Sequence, residues 1–149
     1  MPNRRALIMN LLVVVVFATA CGGSGDGVVT VADSWAPSTP PGAGTAAVYL
    51  TITNGTGDDD RLLAVSSDRC AAIELHSTQI DDNQIMRMRQ AGPELLVVPA
   101  RGDLRMVPGG LHVMCIDMPT PFVAGEEIAM TVTFERTGSL PVTAVVENR

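Results

Sequence analysis

Apolar residues in this chain recur at every second position in short runs, a spacing that suits strands and not helices. Val48, Leu50 and Ile52 alternate with Tyr49, Thr51 and Thr53, and Ile128, Met130, Val132 and Phe134 alternate with Ala129, Thr131 and Thr133. Successive side chains of a strand point to opposite faces, so each run describes a strand with one face buried. Shorter runs of the same kind lie at Val28 to Val31, Arg61 to Ser66, Ala72 to Gln79, Gln84 to Arg89, Leu95 to Val98, Asp103 to Val107, Leu111 to Ile116 and Leu140 to Val146. Turn-forming clusters separate them, among them Pro37 to Gly42, Asn54 to Asp58, Asp81-Asp82-Asn83 and Pro108-Gly109-Gly110. No uninterrupted amphipathic helical pattern of ten residues occurs. The chain is therefore expected to be all-β, an antiparallel sandwich or barrel. With 3% aromatic residues, its core must be built largely from Val, Leu, Ile, Met and Ala.

The first twenty residues have the character of an export signal. Arg4 and Arg5 precede an apolar run from Ala6 to Phe17, and Ala18-Thr19-Ala20 leads into Cys21. Small residues before a cysteine, followed by Gly22-Gly23-Ser24-Gly25-Asp26-Gly27, match a bacterial lipoprotein cleavage site, with Ala18 where leucine is more usual. The expected organisation is a lipoprotein signal peptide over 1–20, a glycine-rich tether over 21–27 and one β-domain over 28–149. The mature protein is expected on the outer face of the cytoplasmic membrane or in the periplasm. There it would touch the membrane only through a lipid on Cys21. Losing residues 1–20 removes two of ten basic residues and none of sixteen acidic ones, taking the net charge from −6 to −8. No basic patch remains for nucleic acid.

The chain has two histidines, and each is followed by methionine chemistry. His112 and Met114 sit two apart in Leu111-His112-Val113-Met114, while Met86 and Met88 alternate with arginines downstream of His76. Strand parity puts Ile73 and Leu75 on one face and Glu74 and His76 on the other. Likewise Leu111, Val113 and Cys115 are separated from His112 and Met114. Both histidines thus avoid the core face. A lone outward histidine is ordinarily just solvent-exposed and a methionine is ordinarily core filler, which is how Met106, Met118 and Met130 are read. Outward methionines beside outward histidines are another matter. A thioether is a soft, uncharged ligand suited to Cu(I) and poorly suited to zinc, calcium or magnesium.

These residues carry a family resemblance. Asp33-Ser34-Trp35-Ala36, Ala47 to Asn54, Glu74-Leu75-His76, Met86-Arg87-Met88-Arg89, Pro99-Ala100, Pro108 to Met114 and Thr131 to Phe134 together resemble the periplasmic copper chaperone family PCu(A)C. The resemblance spans nearly all of the mature chain. It implies a cupredoxin-like Greek-key β-sandwich that binds Cu(I) through the pattern H-x10-M-x21-H-x-M, here His76, Met88, His112 and Met114. Two spacings depart from it: His76 to Met88 is H-x11-M and Met88 to His112 is M-x23-H. The extra residues fall in turn-like stretches, and the first departure leaves Met86 as a substitute for Met88. The resemblance further implies delivery of copper to the Cu(A) centre of cytochrome c oxidase. The partner would be the oxidase subunit carrying Cu(A) or another copper-assembly protein, served by a monomer. Some members carry a His- and Met-rich tail for Cu(II), which is not expected here, as the residues read end in Asn148-Arg149.

Cys70 and Cys115 form an even pair in an exported domain, which predicts a disulfide. The rival assignment makes Cys115 a copper ligand of a blue-copper electron-transfer site, although parity separates it from His112. A metal-independent structural lipoprotein is the third alternative. No nucleophile, base and orienting acid occur in a recognisable motif, so no enzyme activity is expected.

Overall fold

The computed structural model describes residues 27–149; the expected signal peptide, Cys21 and the expected tether as far as Asp26 lie outside them. Ten strands follow in order: β1 (Val29–Pro37), β2 (Thr45–Asn54), β3 (Asp60–Ser66), β4 (Ala72–Ile80), β5 (Met86–Gln90), β6 (Val97–Val98), β7 (Asp103–Met106), β8 (Leu111–Ile116), β9 (Glu127–Phe134) and β10 (Gly138–Glu147). Each expected run contributes one of them. The run from Leu95 to Val98 is shortened, because Pro93 starts a 3-10 turn over Pro93–Leu96 and only Val97 and Val98 remain extended. In the opposite sense, β1 runs on through Trp35 and Ala36 into the predicted turn at Pro37.

Hydrogen bonding links the strands in the order β5-β4-β8-β2-β1-β10-β9-β3-β6, with β7 also on β2. All pairings are antiparallel except a three-residue parallel stretch between β1 and β10, Trp35 to Pro37 against Val145 to Glu147, so the expectation of a purely antiparallel sheet is corrected there. The sheet folds over on itself as a sandwich. Val48, Leu50 and Ile52 of β2, Val113 and Cys115 of β8, Leu62 of β3, Ile128 and Val132 of β9 and Val146 of β10 meet in one core of aliphatic side chains.

Three local irregularities position the outer face of the β4–β8–β2 layer. Met106 of β7 pairs with Leu50, whereas Val113 of β8 pairs with Val48 on the same edge of β2. Six residues therefore lie between these positions where one lies opposite, and the five extra ones loop out around Pro108-Gly109-Gly110, where Gly109 takes φ +77°. On the other edge of β2, Ala32 pairs with Thr51 and Trp35 with Tyr49, so Asp33 and Ser34 face Leu50 alone. Asp33 takes φ +50° in this bulge, a conformation aspartate tolerates, and the shift brings Trp35 in place of Ser34 beside Tyr49. Finally, a disulfide joins Cys70 to Cys115, with Cα atoms 5.4 Å apart. Cys70 lies in the turn before β4 and not within the strand, so the bridge ties the entry to β4 onto the buried face of β8.

The opposite end of the sandwich is fastened by a carboxylate. Buried Asp60 accepts hydrogen bonds from the backbone N–H groups of Arg61, Arg136 and Thr137 and from the Thr137 hydroxyl. Burial acts to raise its pKa, but these donors outweigh burial and hold the carboxyl below its usual range.

Candidate metal site

Register brings the sequence-predicted residues onto one face of three neighbouring strands. His76 of β4 lies directly opposite His112 of β8, and Glu74 lies opposite Met114. Across the other edge of β4, Gln90, Met88 and Met86 of β5 face His76, Thr78 and Ile80. Directly paired residues share a face, so His76, His112, Met114, Met88 and Met86 all project the same way. His76 is the centre of the group. Met114 is its diagonal neighbour on one side and Met88 on the other, each about 7–8 Å away between Cα atoms, within reach of long side chains. Met86 is one further step along β5, about 6–7 Å beyond Met88.

His112 departs from expectation in one respect. Parity places it on the outer face, but it is 3% exposed, because that face is itself covered. The Tyr49 ring lies 6.3 Å away and the Trp35 ring 4.9 Å beyond it, with the Arg149 guanidinium over Trp35 at 4.6 Å. An aromatic row thus walls the imidazole from the β2 side. Burial also pushes the Tyr49 hydroxyl pKa up. The looped-out turn completes the arrangement: the Gly110 carbonyl accepts a hydrogen bond from His112 Nδ1 at 2.9 Å, which selects the tautomer whose lone pair is on Nε2. That Nε2 is buried and has no hydrogen-bond partner.

His76 repeats the logic with its nitrogens exchanged. Its Nε2 donates to Glu74 Oε2 at 2.7 Å, which leaves the lone pair on Nδ1, again buried and unpartnered. The two rings stand edge to face with centroids 6.0 Å apart. A buried polar atom left without a partner costs about 1–3 kcal/mol, so two such nitrogens on facing rings are an unfavourable feature unless something else binds them. Among the described residues no three of His, Cys, Asp and Glu gather into a metal-holding group. On the same face, diagonal to His76 on either side, stand the thioethers of Met114, which is half-buried, and Met88, which is exposed.

Of the remaining methionines, Met106, Met118 and Met130 are buried in the core as expected. Cys115 is also fully buried on the core face, within the disulfide, so it does not converge with His112 and the blue-copper arrangement is not formed. Sequence reasoning placed Glu74 on the correct face without giving it a task; its i, i+2 spacing from His76 was the available signal. The Gly110 carbonyl and the Tyr49–Trp35 wall left no such signal, since they depend on the register jump and the bulge.

These features define a cupredoxin-like β-sandwich with a paired-imidazole, thioether-flanked site on one face. The chain belongs to the LpqE-like family, whose model, described as "LpqE-like: Putative lipoprotein LpqE-like", matches residues 29–146. A relative described as a putative lipoprotein of Leifsonia xyli subsp. xyli is 27% identical over 127 residues, covering 85% of this chain and 74% of the relative. Among solved structures, the copper-bound PCuAC domain from PmoF2 superposes with a TM-score of 0.67 over 83% of this chain and 95% of that one; at 24% identity it speaks for the fold. The Cu(I) form of DR1885 from Deinococcus radiodurans matches with a TM-score of 0.63 and 25% identity, over 89% and 86% of the two chains. The resemblance to PCu(A)C domains thus holds in the fold. Among the described residues no helix is long and apolar enough to cross a membrane.

Proposed function

We propose that this protein is an extracytoplasmic Cu(I) chaperone, anchored by a lipid on Cys21, that carries one ion and hands it on without catalysing a reaction. His76 Nδ1, His112 Nε2, Met88 and Met114 would hold the ion, with Met86 as the substitute for Met88. The observation that carries this reading is the pair of buried, unpartnered nitrogens on directly opposed histidines, flanked by two thioethers on the same face. Two neutral imidazoles and two neutral thioethers suit Cu(I) and leave zinc, which prefers thiolate, imidazole and carboxylate, poorly served. Handover would proceed from the β5 side, where a partner's ligand can displace the exposed Met88 before the histidines let go. The acceptor fitting this chemistry is the oxidase subunit that builds Cu(A), or another copper-assembly protein, met by a monomeric chaperone. Copper loading of the protein with ascorbate as reductant, followed by X-ray absorption, tests the reading. One Cu(I) with mixed nitrogen and sulfur scattering is expected; equal affinity for Zn(II), or a copper shell without sulfur, would falsify it.

A further inference from the structure

The strand that carries Met88 is also the least covered part of the sandwich. All five residues of β5 are exposed, and with Ile80 and Ile85 the hairpin gathers four large apolar side chains in solvent, Ile80 at 65%, Ile85 at 49%, Met86 at 63% and Met88 at 58% exposed. Ile80, Met86 and Met88 share the metal-site face, with Ile80 directly opposite Met86, and exposed apolar side chains grouped in this way mark an interaction surface more often than a single one does. β5 ends the strand order, and among the described residues nothing pairs with its outer edge.

The backbone of that edge is specific about what it offers. Asp81 N–H donates to the Ile85 carbonyl, and Ala91 N–H donates to the Leu75 carbonyl. In an antiparallel ladder, hydrogen-bonded pairs alternate with non-bonded ones, so Ile85, Arg87, Arg89 and Ala91 turn their backbone groups toward β4. Met86, Met88 and Gln90 turn theirs outward. The residues whose N–H and C=O groups are open to a new strand are therefore those whose side chains lie on the metal-site face. Arg87 and Arg89 project to the other face.

We propose that the outer edge of β5 is the docking strand for the copper acceptor, which adds an extended segment alternating soft donors with carboxylates. The inference rests on the copper reading for its purpose but not for its geometry. In such a pairing, a side chain directly opposite Met88 has its Cβ about 5 Å away, close enough to exchange for it on the metal. One Cu–S bond breaks as another forms, and Cu(I) keeps its oxidation state. Carboxylates at the intervening positions face Arg89 and also Arg87, whose guanidinium already pairs with Asp81 at 2.7 Å, so Arg89 is the main contact. A second copy of this chain fits poorly, because its own β5 would set arginine against arginine across the ladder.

The test is a titration of the full chain in detergent, metal-free and Cu(I)-loaded, with the peptide acetyl-Asp-Met-Asp-Met-Asp-Met-Asp-amide, following backbone amides by NMR. Shifts concentrated at Met86, Met88 and Gln90 are expected in both states, and a peptide with Lys in place of Asp should bind at least about tenfold more weakly. Gln90→Pro removes one outward N–H without touching the β4 ladder and should weaken docking about tenfold while Cu(I) affinity stays within about twofold. Arg89→Glu, which leaves the backbone alone, should reverse the preference between the two peptides. Binding indifferent to both substitutions, shifts elsewhere on the sandwich, or concentration-dependent self-pairing through β5 without a peptide response would overturn the proposal. Docking to the metal-free chain is read separately from copper affinity. Loss of Cu(I) binding with docking intact would therefore count against the copper reading alone.

Discussion

β8 and β5 carry thioethers toward the same histidine, yet the fold holds them in opposite ways. β8 lies between β4 and β2, buries Val113 and Cys115 completely and is tied down by the disulfide. β5 pairs only with β4 among the described residues and buries nothing. One half of the candidate site is thus preorganised and the other compliant. A cage rigid on all sides would bind tightly and release slowly, because affinity differences between related complexes lie mostly in the off-rate. A fixed imidazole pair with a loosely held thioether keeps selectivity and leaves a side for exit.

The contrast can be broken at several points, and the largest effect is expected at the staple. Reducing Cys70–Cys115 should lower stability by about 2–5 kcal/mol in urea unfolding; a change below about 1 kcal/mol would mean that packing alone anchors β8. Next comes His112→Ala, which removes a buried donor and should cost about a hundredfold in Cu(I) affinity, or about 2.7 kcal/mol, in competition with a chelator. Met88→Leu keeps the volume at an exposed position, so the fold should persist while affinity falls about tenfold. Glu74→Ala should cost only about threefold, since its hydrogen bond to His76 is partly solvated and water can replace it. The smallest effect is expected from Met86→Leu, within about twofold, because Met86 stands one strand step too far from His76. If Met86 and Met88 exchange ranks, the extra residue in the β4–β5 hairpin has moved the ligand.

The two regions also differ in how far they could be read in advance. Period-two alternation located most of the strands, since burial of one face imposes it directly; β5 buries nothing and showed itself only by methionine alternating with arginine, and β6 by a short apolar run. Parity put Glu74, His76, His112 and Met114 on the proper side. What alternation cannot express is adjacency. That His76 faces His112 follows from the β4–β8 register, and that Met88 is nearer than Met86 follows from the β4–β5 register. The burial of His112 was misjudged for a related reason: parity tells core from outside, but an outer face can be covered by its own neighbours, here Tyr49 of β2 and Trp35, which a one-residue bulge of β1 brings beside it. The short parallel contact of β1 with β10 likewise joins strands more than a hundred residues apart, beyond any local pattern.

The bridge between Cys70 and Cys115 has a consequence for charge as well as for strand anchoring. Thiolates are among the strongest partners a protein can offer cuprous copper, and oxidation takes both cysteine sulfurs of the described residues out of that role. None of His76, His112, Met88 and Met114 carries a charge as a donor, so a cuprous ion they held would keep its positive charge through its ligands, with the Glu74 carboxylate reaching it only through His76. Such an ion is thermodynamically poised to move to any acceptor that can present an anionic sulfur. In this way an oxidising compartment, by closing one covalent bond, would set the direction in which cargo flows.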